Sequence, residues 1–75
     1  MTLIQPAILN FRTSTYARNI YLYGNTTFSA IPTEYVEPVK QYAAVTFSIT
    51  QIDNALTQGW ITQQEYDDTI AYIPV

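Results

Sequence analysis

Residues 18–31 read Arg18-Asn19-Ile20-Tyr21-Leu22-Tyr23-Gly24-Asn25-Thr26-Thr27-Phe28-Ser29-Ala30-Ile31. Two runs rich in β-branched and aromatic residues flank Gly24-Asn25, a pair that tolerates positive φ and suits a two-residue hairpin loop. The pattern predicts a β-hairpin over about 18–31. Pairing across that loop sets Tyr23 opposite Thr26, Leu22 opposite Thr27 and Tyr21 opposite Phe28. One face then carries Tyr21, Tyr23 and Phe28, and the other Ile20, Leu22 and Ile31. Both faces are apolar, and a lone hairpin is marginal in water. It needs a third strand, a covering helix or a partner subunit.

Toward the C-terminus, Pro32 and Pro38 punctuate the chain. Thr33 to Glu37 is expected to be extended, because a proline disfavours helix just before it. From Pro38 the segment Val39 to Val45 is expected to form a short helix or irregular turn, since proline suits a first helical turn, with a third strand as the equal alternative. Beyond it the signals sharpen. Ser48 with Gln51, and Thr62 with Glu65, each fit a capping box. Phe47 with Ile52, and Ile61 with Tyr66, supply a hydrophobic staple for each box. Ile49, Ile52 and Leu56 keep helical spacing, as do Tyr66, Ile70 and Ile73. Gly59 is a natural helix stop, and Pro74 ends the second stripe. The spacing predicts an αα-hairpin with helices at about 49–58 and 63–73. Trp60 falls in its turn and is expected to plug the open end of the helix pair.

Toward the N-terminus, residues 1–17 hold Pro6 and an irregular apolar pattern that fits neither alternation nor helical spacing. They are expected to form an extended arm, with room for a helical turn after Pro6, and with a strand on the chain's own sheet as the alternative. Burying an apolar side chain is worth about 1.5–3 kcal/mol. An arm bearing Leu3, Ile4, Ile8, Leu9 and Phe11 is therefore better docked on a neighbour than left in water. Arg12 and Arg18 flank its end and are expected to set its register on a partner's carboxylates. The expected fold class is α+β: an arm at 1–17 and one small domain at 18–75, built from the β-hairpin and the helical hairpin.

Composition narrows function. The chain has 75 residues, of which 12% are charged and 48% hydrophobic, with net charge −3. Thr, Gln, Asn and Ser together supply 24 positions. A domain of this size buries only about 60% of its unfolded surface, so a private core is marginal. There is no cysteine to staple it. Aromatic enrichment with few charges is the signature of an interface core. The bland alternative is a compact domain that happens to be charge-poor. The only cations are Arg12, Arg18 and Lys40. That excludes a phosphate-tracking nucleic-acid binder, which needs clustered Lys and Arg, and disfavours anionic membrane surfaces. No apolar run is long enough to span a bilayer, and no basic-then-apolar signal segment opens the chain.

The chain holds little catalytic chemistry. Without histidine or cysteine, the usual nucleophile–base sets and the commonest transition-metal ligands are missing. Asp67 and Asp68 are adjacent, so on a helix they point apart and do not share a proton. Asp53, Asn54 and Glu65 lack the alternating oxygen ligands of a calcium loop. Neither Gly24 nor Gly59 belongs to a phosphate cradle. No cofactor, metal or small-molecule substrate is expected, and the chain is expected not to be an enzyme.

The run Ile52-Asp53-Asn54-Ala55-Leu56-Thr57-Gln58-Gly59-Trp60-Ile61-Thr62-Gln63-Gln64-Glu65-Tyr66 resembles the helical hairpin of the XkdX-like short phage tail proteins. The resemblance covers about 25 of the 75 residues, confined to the C-terminal hairpin. It implies a structural subunit of a bacteriophage virion, assembled in the host cytoplasm: a tail, baseplate or fibre-attachment component. Its partners would be other virion proteins and copies of itself. A head-bound cement protein, or a free binding module such as a phage-encoded inhibitor of a host protein, fits the same composition. The residues expected to carry the contacts are Ile4, Ile8, Phe11, Arg12, Arg18, Tyr21, Tyr23 and Phe28.

Overall fold

In the computed structural model, which describes residues 9–74, helix occupies most of the stretch expected to form strands. The order is α1 (Asn10–Arg18), a π-helical turn (Asn19–Tyr23), 3₁₀ turns at Phe28–Ala30 and Thr33–Tyr35, α2 (Val36–Thr46), α3 (Ile49–Thr57) and α4 (Gln63–Ala71). No strand occurs among the described residues, so the α+β class with its β-hairpin at 18–31 is overturned.

The reason lies in a spacing that runs across the expected boundary between arm and hairpin. Thr13, Ala17, Ile20 and Tyr21 are all buried. They stand at i, i+4, i+7 and i+8, one face of a continuous helix. Packing on that face overrides the strand preference of Ile20 to Tyr23, since β-propensity is mostly a matter of burial context. Residues 10–17 are therefore helix and not extended arm. Residues 1–8 lie outside the described part of the chain.

Gly24 keeps its positive φ, at 67°, but uses it to stop a helix and not to close a hairpin. The Gly24 and Asn25 N–H groups both donate to the Asn19 carbonyl. Tyr21 and Phe28 do meet, edge to face with ring centroids 5.8 Å apart. They meet as core neighbours of a helix and a 3₁₀ turn and not as a cross-strand pair.

Thr33 to Glu37 is likewise helical and not extended. α2 begins at Val36, two residues before Pro38. Pro38 falls in the first turn, where its missing N–H would have no partner anyway. α2 is the central element, packing on α1 along one side and on α4 along another, with Val39 and Ala43 fully buried.

Both C-terminal helices form close to their expected bounds. Ser48 Oγ accepts from Gln51 N at 3.1 Å while Ser48 N donates to Gln51 Oε1 at 2.9 Å. Thr62 and Glu65 repeat the exchange at 3.1 and 2.8 Å. α3 ends in a Schellman motif: Trp60 N donates to Ala55 O and Gly59 N to Leu56 O. Phe47 and Ile61, the outer halves of the expected staples, both reach the core. Trp60 plugs a different gap from the one expected. Its indole lies over Gly24, joining the α3–α4 turn to the end of the π-turn.

Candidate interaction surface

The eight expected contact residues divide in three. Ile4 and Ile8 lie outside the described residues. Tyr21 and Phe28 are buried by their own chain. Their expected coverage by a neighbouring subunit is corrected: α1, once continued through the π-turn, gives both rings an internal home. Phe11, Arg12, Arg18 and Tyr23 are on the surface, with Phe11 66% and Tyr23 58% exposed.

Those four share one continuous helical element. Phe11 and Arg18 are seven residues apart, so they lie along one stripe of α1. Arg12 is exposed beside Phe11, and Tyr23 ends the π-turn. Among the described residues neither arginine forms an ion pair. Arg18 donates to the Ser14 hydroxyl at 3.5 Å. The face thus presents an aromatic ring at each end and two cations between them, with no carboxylate paired to either among the described residues.

An open groove of about 420 Å³ lies between the π-turn and α3, lined by Tyr21, Leu22, Thr50, Gln51 and Asn54. Its polar groups are a hydroxyl and two amides beside the Tyr21 phenol. That phenol is already committed. Thr69 Oγ1 gives its proton to the Glu65 carbonyl at 2.8 Å, so Tyr21 must be the donor in the 2.5 Å bond between Tyr21 Oη and Thr69 Oγ1. Burial pushes the Tyr21 phenol far above its ordinary range. The groove holds no acid or base that titrates near neutrality.

The buried charge is Lys40, 5% exposed, which the sequence did not mark. Its ammonium sits 2.8 Å from Asp68 and 3.4 Å from Glu37, and 5.5 Å from the centre of the Phe28 ring. Burial works against its charge, but the Asp68 hydrogen bond and the Glu37 carboxylate outweigh that and hold Lys40 above the usual lysine range. The same bond, with a second from Gln64, holds the Asp68 carboxyl below its usual range. Glu37 also accepts from Tyr72 at 2.6 Å, and Asp53 from Tyr66 at 2.5 Å. Glu65 is spent on its capping box, and Asp67 accepts from the Gln63 amide. Glu37, Asp53 and Asp68 thus act as fasteners between helices, while Glu65 and Asp67 are engaged within α4 and its cap. Among the described residues no cluster of three metal-ligating side chains occurs, and no helix is long and apolar enough to cross a membrane. Comparison with protein-family models, curated proteins and solved structures finds no match.

Proposed function

We propose that the chain is a small non-catalytic subunit that works through protein–protein contacts, and that its place is a bacteriophage virion, in the tail, baseplate or fibre attachment. The observation that carries the contact role is the outer face of α1 and the π-turn. Phe11 and Tyr23 stand exposed there with Arg12 and Arg18, in a chain that ties up most of its acids internally. Exposed aromatics beside arginines are the residue types that dominate binding hot spots. The virion assignment rests on the resemblance of residues 52–66, a stretch that folds as most of α3, a helix stop and the start of α4.

The test is made in particles of the phage that encodes the chain. Quantitative mass spectrometry of purified virions should find it at a fixed copy number. Phe11→Asp with Tyr23→Asp should keep its helical circular dichroism and be lost from the particles. Absence of the parent chain from virions would overturn the assignment.

One observation favours the free binding module as a second reading. Tyr21 and Phe28 are covered by their own chain, so the fold closes without a partner. A parent chain absent from virions but captured as a discrete complex with a host protein would establish that role instead.

A further inference from the structure

Hydrogen bonds that link side chains distant in sequence are concentrated on one element. Tyr21 to Thr69, Lys40 to Asp68, Tyr66 to Asp53 and Tyr72 to Glu37 all tie α4, or the residue capping it, to the rest of the fold. Buried apolar side chains are distributed the opposite way. The α1–π-turn element supplies Ala17, Ile20 and Tyr21, α2 supplies Val39, Ala43 and Ala44, and α3 supplies Ile52 and Ala55. The fully buried residue of α4 is Thr69, a polar one, while Tyr66 and Ile70 are half-buried. Three of the four ties end on carboxylates that are partly or fully exposed, where a hydrogen bond is screened and holds less firmly than buried apolar contact. Local opening follows the places where buried apolar contact is sparse.

We infer that α4 is a latch: it lifts from α2 and α3 as a unit ahead of the rest of the fold, and acid releases it by discharging Asp68, the carboxylate that pairs α4 with Lys40. The groups facing the latch are Glu37 and Lys40 on α2, Asp53 on α3 and Tyr21 on the π-turn. α4 and its cap bring Glu65, Tyr66, Asp67, Asp68 and Tyr72. Asp68 titrates lower in the folded chain than in the unfolded one. Its tie is therefore complete above about pH 4 and is lost as pH falls through the folded value. Lys40 is then a buried ammonium that has lost its nearer carboxylate, 2.8 Å away, which is unfavourable. Lifting α4 returns that ammonium to water and uncovers the Tyr21 hydroxyl, while Ile61 and Trp60 keep the α3–α4 turn anchored in the core.

Amide hydrogen exchange of the full chain, followed residue by residue by NMR and corrected for intrinsic rates, tests this. At neutral pH the amides of Asp68 to Ala71 should open at least about tenfold more often than those of Ala43 and Ile52. Below about pH 4 that ratio should widen by about another tenfold. Tyr72→Phe, a mild change at the edge of the latch, should raise α4 opening and leave the core amides unchanged. Lys40→Met with Asp68→Asn removes the ammonium that demands a charged partner, so the acid response should shrink to within about twofold. One shared opening rate for α4 and the core, or an undiminished acid response in the double variant, overturns the inference.

Discussion

Gly24 and Gly59 both have positive φ, at 67° and 78°, yet they answer to different constraints. A Cβ at Gly59 would meet open space. A Cβ at Gly24 would run into the Trp60 indole. Gly59→Ala should therefore cost only the left-handed backbone penalty, about 1–2 kcal/mol. Gly24→Ala should cost more than that and shift Trp60 emission toward that of a solvated indole. Urea unfolding followed by the lone tryptophan checks both, and equal losses without a spectral change would show that Trp60 does not need the close approach. The tyrosines carry a second expectation. Hydrogen bonds to Asp53 and Glu37 raise the Tyr66 and Tyr72 phenols, and Lys40 is raised as well. A group raised on folding stabilises below its unfolded value, and that support fades as pH climbs through the folded one. Stability should be level through neutrality and fall above about pH 10. The tyrosinate absorbance due to Tyr66 and Tyr72, read as the difference from their Phe variants, should rise in step with loss of helicity, and its appearance at the ordinary phenol value with helicity intact would contradict this.

Each capping box gives its helix a separable contribution. Ser48→Ala and Thr62→Ala should each lower stability by about 1 kcal/mol. In thermal melts that appears as a fall of roughly 4–8 °C, and a fall near zero for either would show the box to be ornamental. These helices were legible because their instructions are local: cap, staple and stop stand within a few residues of each other. α1 was hidden by Thr13, Ser14 and Thr15, residues that usually compete with helical backbone. In the folded chain their hydroxyls turn back onto the Leu9 and Phe11 carbonyls, and packing against α2 does the rest. Gly24-Asn25 was legible as a site of positive φ, but nothing beside it says whether such a site closes a hairpin or ends a helix. Pro38 misled in the same way, since a first-turn proline and a helix-blocking one look alike until the start of the helix is known.

At the scale of the molecule, four of the eight residues expected to make contacts, Phe11, Arg12, Arg18 and Tyr23, stand exposed on the outer face. Tyr21 and Phe28 do not, because an aromatic side chain advertises its need for cover and not who provides it. The ties to α4 were illegible for a related reason. Lys40 and Asp68 are 28 residues apart, and no short-range pattern joins them. The bond from Tyr21 to Thr69 spans 48 residues, most of the described chain. Drawing such distant points together costs chain entropy before it returns any energy, so the bond belongs to the late, downhill side of the folding barrier. Tyr21→Phe should then accelerate unfolding in stopped-flow chevrons while leaving the refolding limb in place. A slowed refolding limb would put the contact inside the nucleus. On the expected outcome, this one hydroxyl governs how long a folded molecule persists and has no say in how fast it forms.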